Sequence, residues 1–191
     1  MVPAVAAAET RVGGSVVVGA NETVDGLEAI GGDVTVLGTV DGNLTGVSGS
    51  VTVVGNVTGS VQIASGSLRI EGTVGGDVQA GAGSVTLTRS GVVGGDFDAG
   101  AGTVILAGTI DGNARVGADV ITVRSTAAIA GDLEYDGDLR RQAGARIDGS
   151  VTRNPNLDVG GFWAAGPFPR VGAALFSAYF FLVNLVMGAV L

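Results

Sequence analysis

The chain has 191 residues, of which 35 are glycine and only 5% are aromatic, and its formal net charge is −8. It contains no cysteine and no histidine, which excludes disulfides, thiolate catalysis, Cys/His metal sites and histidine acid–base chemistry. The acidic surface argues against nucleic acid as a partner, because phosphate binding needs a basic surface. No cofactor is expected.

All 10 basic residues are arginine. An acidic, lysine-free composition resembles that of proteins from salt-loving archaea, and a GC-rich genome alone gives the same arginine bias. The composition therefore suggests a halophilic source and leaves the second explanation open.

Residues 1–8 have apolar side chains, and the last three of them are alanines that directly precede Glu9. This small-residue run suits a signal-peptide cleavage site, although a basic start is missing and the apolar run is short. The segment is predicted to be the remnant of an export signal that begins upstream, or a plain apolar tail.

A seven-residue run recurs through the middle of the chain, for example as Gly38–Leu44, Gly72–Val78 and Gly108–Ala114. Its seven copies begin at residues 38, 55, 72, 91, 108, 127 and 145. Between them lie short apolar runs with a period of two, which predict strands, separated by Gly, Asp and Asn, which favour turns. A repeat of 17–19 residues with three short strands predicts a parallel β-helix of about eight coils over residues 9–152.

The repeat also predicts details of this all-β, triangular fold. Three parallel sheets should surround a thin aliphatic core, in which Val74, Val93 and Ile110 stack with their side chains inward. The two-residue surplus in two units, at Arg89-Ser90 and Ser125-Thr126, should bulge at corners.

Carboxylates are the only candidates for chemistry in the repeat. They lie beside the turn glycines, as Asp33, Asp41, Asp77, Asp96, Asp111, Asp132 and Asp148. A ladder of them could bind Ca²⁺, or two of them could flank a glycosidic bond. The favoured interpretation is simpler, since Asp prefers such turns, and no enzyme is expected.

After a linker at 153–170, residues 171–191 carry no charge. As a helix they would span about 31 Å, close to the thickness of the bilayer core. They are predicted to be a transmembrane helix, after which the chain is expected to continue. Together with an export signal, this helix would hold the β-helix outside the cytoplasmic membrane, where the sequons at Asn21, Asn43 and Asn56 could carry glycans.

The G-T-V-x-G-D/N-V/L units at this spacing resemble those of the bactofilins, over roughly residues 12–152. The resemblance implies a right-handed β-helix that joins through its terminal coils into non-polar filaments without nucleotide, and association with membranes. The common bacterial members are cytoplasmic with short disordered tails. An export signal and a membrane helix around the β-helix resemble haloarchaeal members of the polymer-forming group.

The predicted function is therefore a membrane-anchored scaffold whose main partner is another copy of itself. The polymer interface is predicted at Val12, Val16 and Val18 in the first coil and at Ile147 and Val151 in the last. The alternatives are a monomeric cell-surface adhesin that binds glycans and, from another class, a carbohydrate-active enzyme.

Overall fold

The computed structural model describes residues 8–157 and 159. In this part of the chain, long strands alternate with strands of two residues. The long strands are Glu9–Val18 (β1), Leu27–Val36 (β3), Leu44–Val53 (β5), Val61–Ile70 (β7), Val78–Leu87 (β9), Phe97–Leu106 (β11), Ala114–Val123 (β13) and Leu133–Arg141 (β15), followed by the three-residue Val151–Arg153 (β17). The short strands are Thr23–Val24 (β2), Thr39–Val40 (β4), Asn56–Val57 (β6), Thr73–Val74 (β8), Val92–Val93 (β10), Thr109–Ile110 (β12), Ala128–Ile129 (β14) and Arg146–Ile147 (β16).

All strand pairs are parallel, and each strand pairs with its equivalent in the coils before and after it. The odd strands form a nine-stranded sheet and the even strands an eight-stranded sheet. The predicted parallel β-solenoid is confirmed, with about nine coils in place of eight. In the described residues no helix is long and apolar enough to cross a membrane; the predicted transmembrane helix at 171–191 and the apolar residues 1–7 lie outside them.

Two hydrogen-bonded sheets are present where three were expected, because each long strand serves two faces. In β9 the buried residues are Val78, Ala80, Val85 and Leu87, which are the first, third, eighth and tenth of the strand. Side chains of a flat strand alternate between faces, so the third and eighth would point to opposite sides. Both point inward because the strand bends between them, at Gly81–Ser84.

The core consists of five stacked columns of inward side chains, four from the long strands and one from the short strands. Val74, Val93 and Ile110 are paired neighbours in the short-strand column and are 0% exposed, as predicted. Each buried aliphatic side chain contributes roughly 1.5–3 kcal/mol. Because a single coil cannot cover its own apolar side, contacts between coils supply most of this stabilisation.

The two surplus residue pairs form turns at a corner, as predicted. Arg89-Ser90 and Ser125-Thr126 lie between a long strand and the following short strand. The backbone N–H groups of Gly91 and Ala127 donate to the carbonyl oxygens of Thr88 and Arg124, each at 3.0 Å. These local hydrogen bonds absorb the extra length, so the strands on either side keep their register.

The other corners are tighter, and glycine is required there for steric reasons. A Cβ atom on Gly55 would lie 1.9 Å from the carbonyl oxygen of Gly38, and one on Gly72 would lie 1.9 Å from that of Gly55. Both contacts are with backbone, which cannot move aside without separating two coils.

We expect Gly72→Ala to lower the free energy of unfolding by about 1–3 kcal/mol, the usual cost of overpacking. Gly14→Ala is the matched control, because a Cβ there meets no atom within 4 Å. Thermal unfolding followed by circular dichroism would measure both variants. Equal melting temperatures would contradict the close approach of the coils at this corner.

Candidate polymer interface

The two ends of the solenoid differ from its middle because arginine occupies inward positions there. In β1 the first and third positions hold Glu9 and Arg11, whose partners in β3 are Leu27 and Ala29. At the other end Arg141 stands at the inward position that Val123 holds one coil earlier, and Arg153 at the one that Val116 holds two coils earlier. The core therefore ends in charged side chains at both ends.

At the first coil, Glu9, Arg11 and Glu22 form a network that we call the N-terminal cap. The Arg11 guanidinium donates to Glu9 Oε1 at 3.0 Å, to the Val17 carbonyl oxygen at 2.6 Å, and to Glu22. Hydrogen bonds from Arg11 and from the Gly19 N–H lower the pKa of Glu22, and those to Glu9 and Glu22 raise the pKa of Arg11. The cap therefore links the two halves of β1 and the corner that precedes β2 across the end of the core.

The three N-terminal residues of the predicted interface are not brought together. Val16 and Val18 are 4% and 0% exposed and belong to the core of the first coil. Val12 is 73% exposed and lies outside, at the fourth position of β1, beside Ile30 of β3. The bend in the strand separates them, since even-numbered positions of the strand point outward before the bend and inward after it.

The C-terminal end is more open and more apolar. Val151 is 40% exposed, and Ile147 and Leu139 are half-buried against the core. The Arg141 guanidinium donates to the Ala145 carbonyl oxygen at 2.7 Å. This end therefore combines the two predicted residues, Ile147 and Val151, with a further apolar side chain, Leu139, and with the guanidinium of Arg141.

The chain that follows β17 turns back along the outside of the solenoid. The Asn154 N–H donates to the Tyr135 carbonyl oxygen at 2.8 Å, and the Leu157 N–H donates to the Asn154 carbonyl oxygen at 3.0 Å. A methyl group of Val159 reaches the glycines at 100 and 117, where an added Cβ would lie 3.1 and 2.7 Å from it. Because it follows the side of β11 and β13, this segment leaves Val151 exposed.

The Asp, Asn and Ser residues after the turn glycines form a ladder of hydrogen bonds along one corner. Each side-chain oxygen accepts the backbone N–H of the equivalent residue in the next coil, at 2.7–3.1 Å. The ladder runs through Asn43, Ser60, Asp77, Asp96, Asn113, Asp132 and Ser150. The repeated carboxylates on this ladder thus have a structural role.

The ladder explains why glycine precedes these residues. A Cβ on Gly95 would lie 2.1 Å from Asp77 Oδ1, and one on Gly112 would lie 2.4 Å from Asp96 Oδ1. Any side chain there would displace the accepting oxygen and leave a backbone N–H without a partner, which costs free energy.

We expect Asp96→Ala to lower the free energy of unfolding by about 1 kcal/mol, because the Asn113 N–H loses its acceptor. Asp96→Asn keeps an oxygen at Oδ1 and should change it much less. Urea unfolding of the two variants tests this. If the two substitutions cost the same, the ladder contributes through charge and not through hydrogen bonding.

Candidates for catalysis are weak in the described residues. No group of three His, Cys, Asp or Glu residues there could hold a metal ion. Burial raises the pKa of Asp98, which can mark a functional group. However, Asp98 lies on an outer face, with an Arg115 nitrogen 3.5 Å from its Oδ1, and Arg115 also approaches Glu134 at 3.8 Å. Asp98, Arg115 and Glu134 therefore form a row of ion pairs on the outside of the sheet.

A surface pocket of about 720 Å³ lies near the irregularity between β13 and β15. Its polar lining comprises Asp119, Asp136, Asp138 and Arg153, with glycine and alanine between them. Arg153 approaches Asp136 at 3.9 Å. An ion pair beside the open end of the solenoid is sufficient to explain these charges.

Comparison with known proteins identifies a family for the repeat. The family model described as "Bactofilin: Polymer-forming cytoskeletal" matches residues 55–152, about half of the chain and six of the seven copies of the repeat. Neither the curated proteins nor the solved structures contain a significant match. The chain belongs to the bactofilin family of polymer-forming cytoskeletal proteins.

Proposed function

We propose that the protein is a non-catalytic scaffold whose copies join end to end through their terminal coils. The observation that carries the proposal is the C-terminal end, where Val151 is 40% exposed and β15–β17 present strand edges that no further coil covers within the described residues. An unpaired parallel edge beside apolar side chains is a template for another strand. Pairing between copies would give hydrogen-bond partners to the free backbone N–H and C=O groups of this edge.

The outer faces of the coils that the family model matches favour contact between copies at their ends over contact side by side. Their outward rows carry polar side chains, several of which pair within the chain. The Gln62 and Gln79 amides hydrogen-bond at 2.8 Å, and further along the same row Asp98, Arg115 and Glu134 form ion pairs. Side-by-side packing would have to desolvate these groups, which costs free energy.

Assembly of this kind needs no nucleotide. Its driving force would come from burial of Leu139, Ile147 and Val151 and from the hydrogen bonds of newly paired strands. We propose further that residues 171–191 anchor the scaffold in the cytoplasmic membrane and that the solenoid lies on its outer side. The support for this part is the uncharged composition of that segment.

Electron microscopy and sedimentation of the purified full-length chain test the assembly. Filaments should form equally with and without ATP or GTP. Discrete particles at every salt concentration would reject the proposal. Discrete rods that bind cell-surface glycans would favour the adhesin instead.

Protease treatment of intact cells tests the location. An external solenoid should be cleaved while a cytoplasmic marker protein stays intact. Protection of the solenoid until the cells are lysed would contradict the external location and would leave the end-to-end assembly unaffected.

A further inference from the structure

We infer that assembly proceeds in two steps. Two copies first join through their C-terminal ends into a two-fold symmetric dimer, and these dimers then join through their N-terminal ends as the salt concentration rises. The inference rests on the proposed end-to-end assembly and adds an order and a salt dependence to it. The observation behind it is that the apolar core is closed at one end of the solenoid and open at the other.

The N-terminal end is closed within a single copy. Val16, Val18 and Val24 are the apolar inward side chains of the first coil, and they are at most 5% exposed although no described coil precedes them. The N-terminal cap lies at this end and ties β1 to the corner before β2. A joint between two such ends therefore buries little new apolar surface, and the hydrophobic effect contributes little to it.

The C-terminal end is open. Val151 is 40% exposed, and Leu139 and Ile147 are only partly buried. β17 pairs with three residues of β15, Leu133–Tyr135, so the second half of β15, residues 138–141, has an edge that no described strand covers. A partner at this end would bury the apolar side chains and would supply hydrogen bonds to the edge. The apolar contribution to assembly is therefore concentrated at this end.

The partner that fits the open end is the open end of a second copy. Two open ends bury apolar side chains of both copies, whereas an open end against a closed one buries those of one copy alone. At a two-fold joint, an edge strand perpendicular to the axis lies antiparallel to its copy, which allows a regular ladder of hydrogen bonds. Such an isologous joint uses the same surface of both copies and stops at two. Growth beyond the dimer then has to use the N-terminal ends.

The charges of the two ends favour the same order. Residues 133–153, from the start of β15 to the third residue of β17, contain four carboxylates and four arginines, a net charge of 0. The equivalent stretch at the other end, residues 9–29, contains four carboxylates and one arginine, a net charge of −3. Like charges across an interface oppose association, and salt screens charges that are exposed to solvent. The joint between N-terminal ends should therefore strengthen as the salt concentration rises.

Sedimentation velocity at low and at high salt tests the order of the two steps. The full-length chain in mild detergent should sediment as a two-chain particle at low salt and as filaments at high salt, and Val151→Asp should sediment as single chains at low salt. Wild-type single chains or filaments at low salt would overturn the inference, as would a two-chain particle that survives Val151→Asp. Absence of assembly at every salt concentration would instead reject the proposed function itself.

Removal of one charge tests the second joint separately. Asp25 is exposed directly after β2 and lies outside the N-terminal cap, and Asp111 is exposed at the equivalent corner after β12, in the middle of the solenoid. Asp25→Asn should raise filament formation at intermediate salt by about twofold or more, the effect of one pair of unit charges about 10 Å apart in water. It should leave the two-chain particle unchanged. Asp111→Asn is the matched control, and equal filament formation by the two variants would overturn the role of charge in the second joint.

Discussion

Val93→Asp should lower the free energy of unfolding by roughly 3–5 kcal/mol, because it places a carboxylate without a partner in a thin aliphatic core. Val93 is 0% exposed, and its neighbours in the column are Val74 and Ile110. Neither a polar group nor solvent is available there. The substitution should therefore disrupt the coils on both sides and not a single corner.

Asp41→Asn is the control for this substitution. Asp41 Oδ1 accepts a hydrogen bond from Thr58 Oγ1 at 3.0 Å in the next coil, and asparagine retains that oxygen. We expect a change within about 0.5 kcal/mol, as for most surface substitutions.

Hydrogen exchange is the more informative measurement, since the coils of a solenoid contribute to stability largely through their neighbours. Val93→Asp should reduce amide protection most strongly in β8, β10 and β12 and less at either end. Equal effects of Val93→Asp and Asp41→Asn would show that the inward register is wrong.

The sequence predicted the interior of the solenoid well, because identical coils repeat the same constraint many times. The stacking of Val74 and Val93 and the turns at Arg89-Ser90 and Ser125-Thr126 followed from alignment of the repeats alone. An error in the register of one coil would have conflicted with the register of the others.

The sequence predicted the number of sheets less well. The prediction of strands rests on alternating polar and apolar residues, and the run Gly81–Ser84 lacks that alternation, so the sequence does not show that β9 continues through it. The two strands stay paired on both sides of Gly83, so one strand continues past this bend, where side chains are small and alternation carries no information. Backbone groups can pair between strands whether or not the side chains alternate between polar and apolar, so a strand can extend beyond the residues whose pattern predicts it.

The ends were hardest to predict, because a terminal coil has only one neighbour and its sequence departs from the repeat. Arg11 stands where the pattern calls for an aliphatic residue, and only the fold shows that its guanidinium reaches Glu9 and Glu22. A sequence signal existed: β1 has charged residues at its first and third positions, which are apolar or glycine in the long strands of the middle coils.

The role of the turn carboxylates could also have been found. Asp, Asn and Ser alternate at one position, and all three offer a side-chain oxygen acceptor, whereas Ca²⁺ binding would favour carboxylates throughout. The glycine before each of them was the second signal, since it leaves room for that oxygen.

Ile147→Glu and Val151→Asp should each abolish filaments while the solenoid stays folded. Ile147 packs against the last layer of the core and Val151 is 40% exposed beside it, so both become fully buried only when another copy covers the end. In a single copy the new carboxylate faces water. In the joint it would be desolvated at a cost of several kcal/mol, which weakens association by more than about a hundredfold.

The position of Val16 gives a contrasting result. Because it is 4% exposed within its own chain, Val16→Asp should unfold the first coil before it affects the joint. Loss of filaments in that variant should therefore be accompanied by a lower melting temperature, whereas Val151→Asp should keep the melting temperature of the wild type.

Thr86→Asp supplies the control for the faces, since Thr86 points outward from β9 between Arg69 and Ile105. It adds the same charge as Val151→Asp but lies away from either end, so filaments should persist. Sedimentation and electron microscopy of the full-length variants distinguish the two. If Val151→Asp still polymerises and Thr86→Asp does not, the copies meet through their faces, and the exposed edges of β15–β17 must be covered in another way.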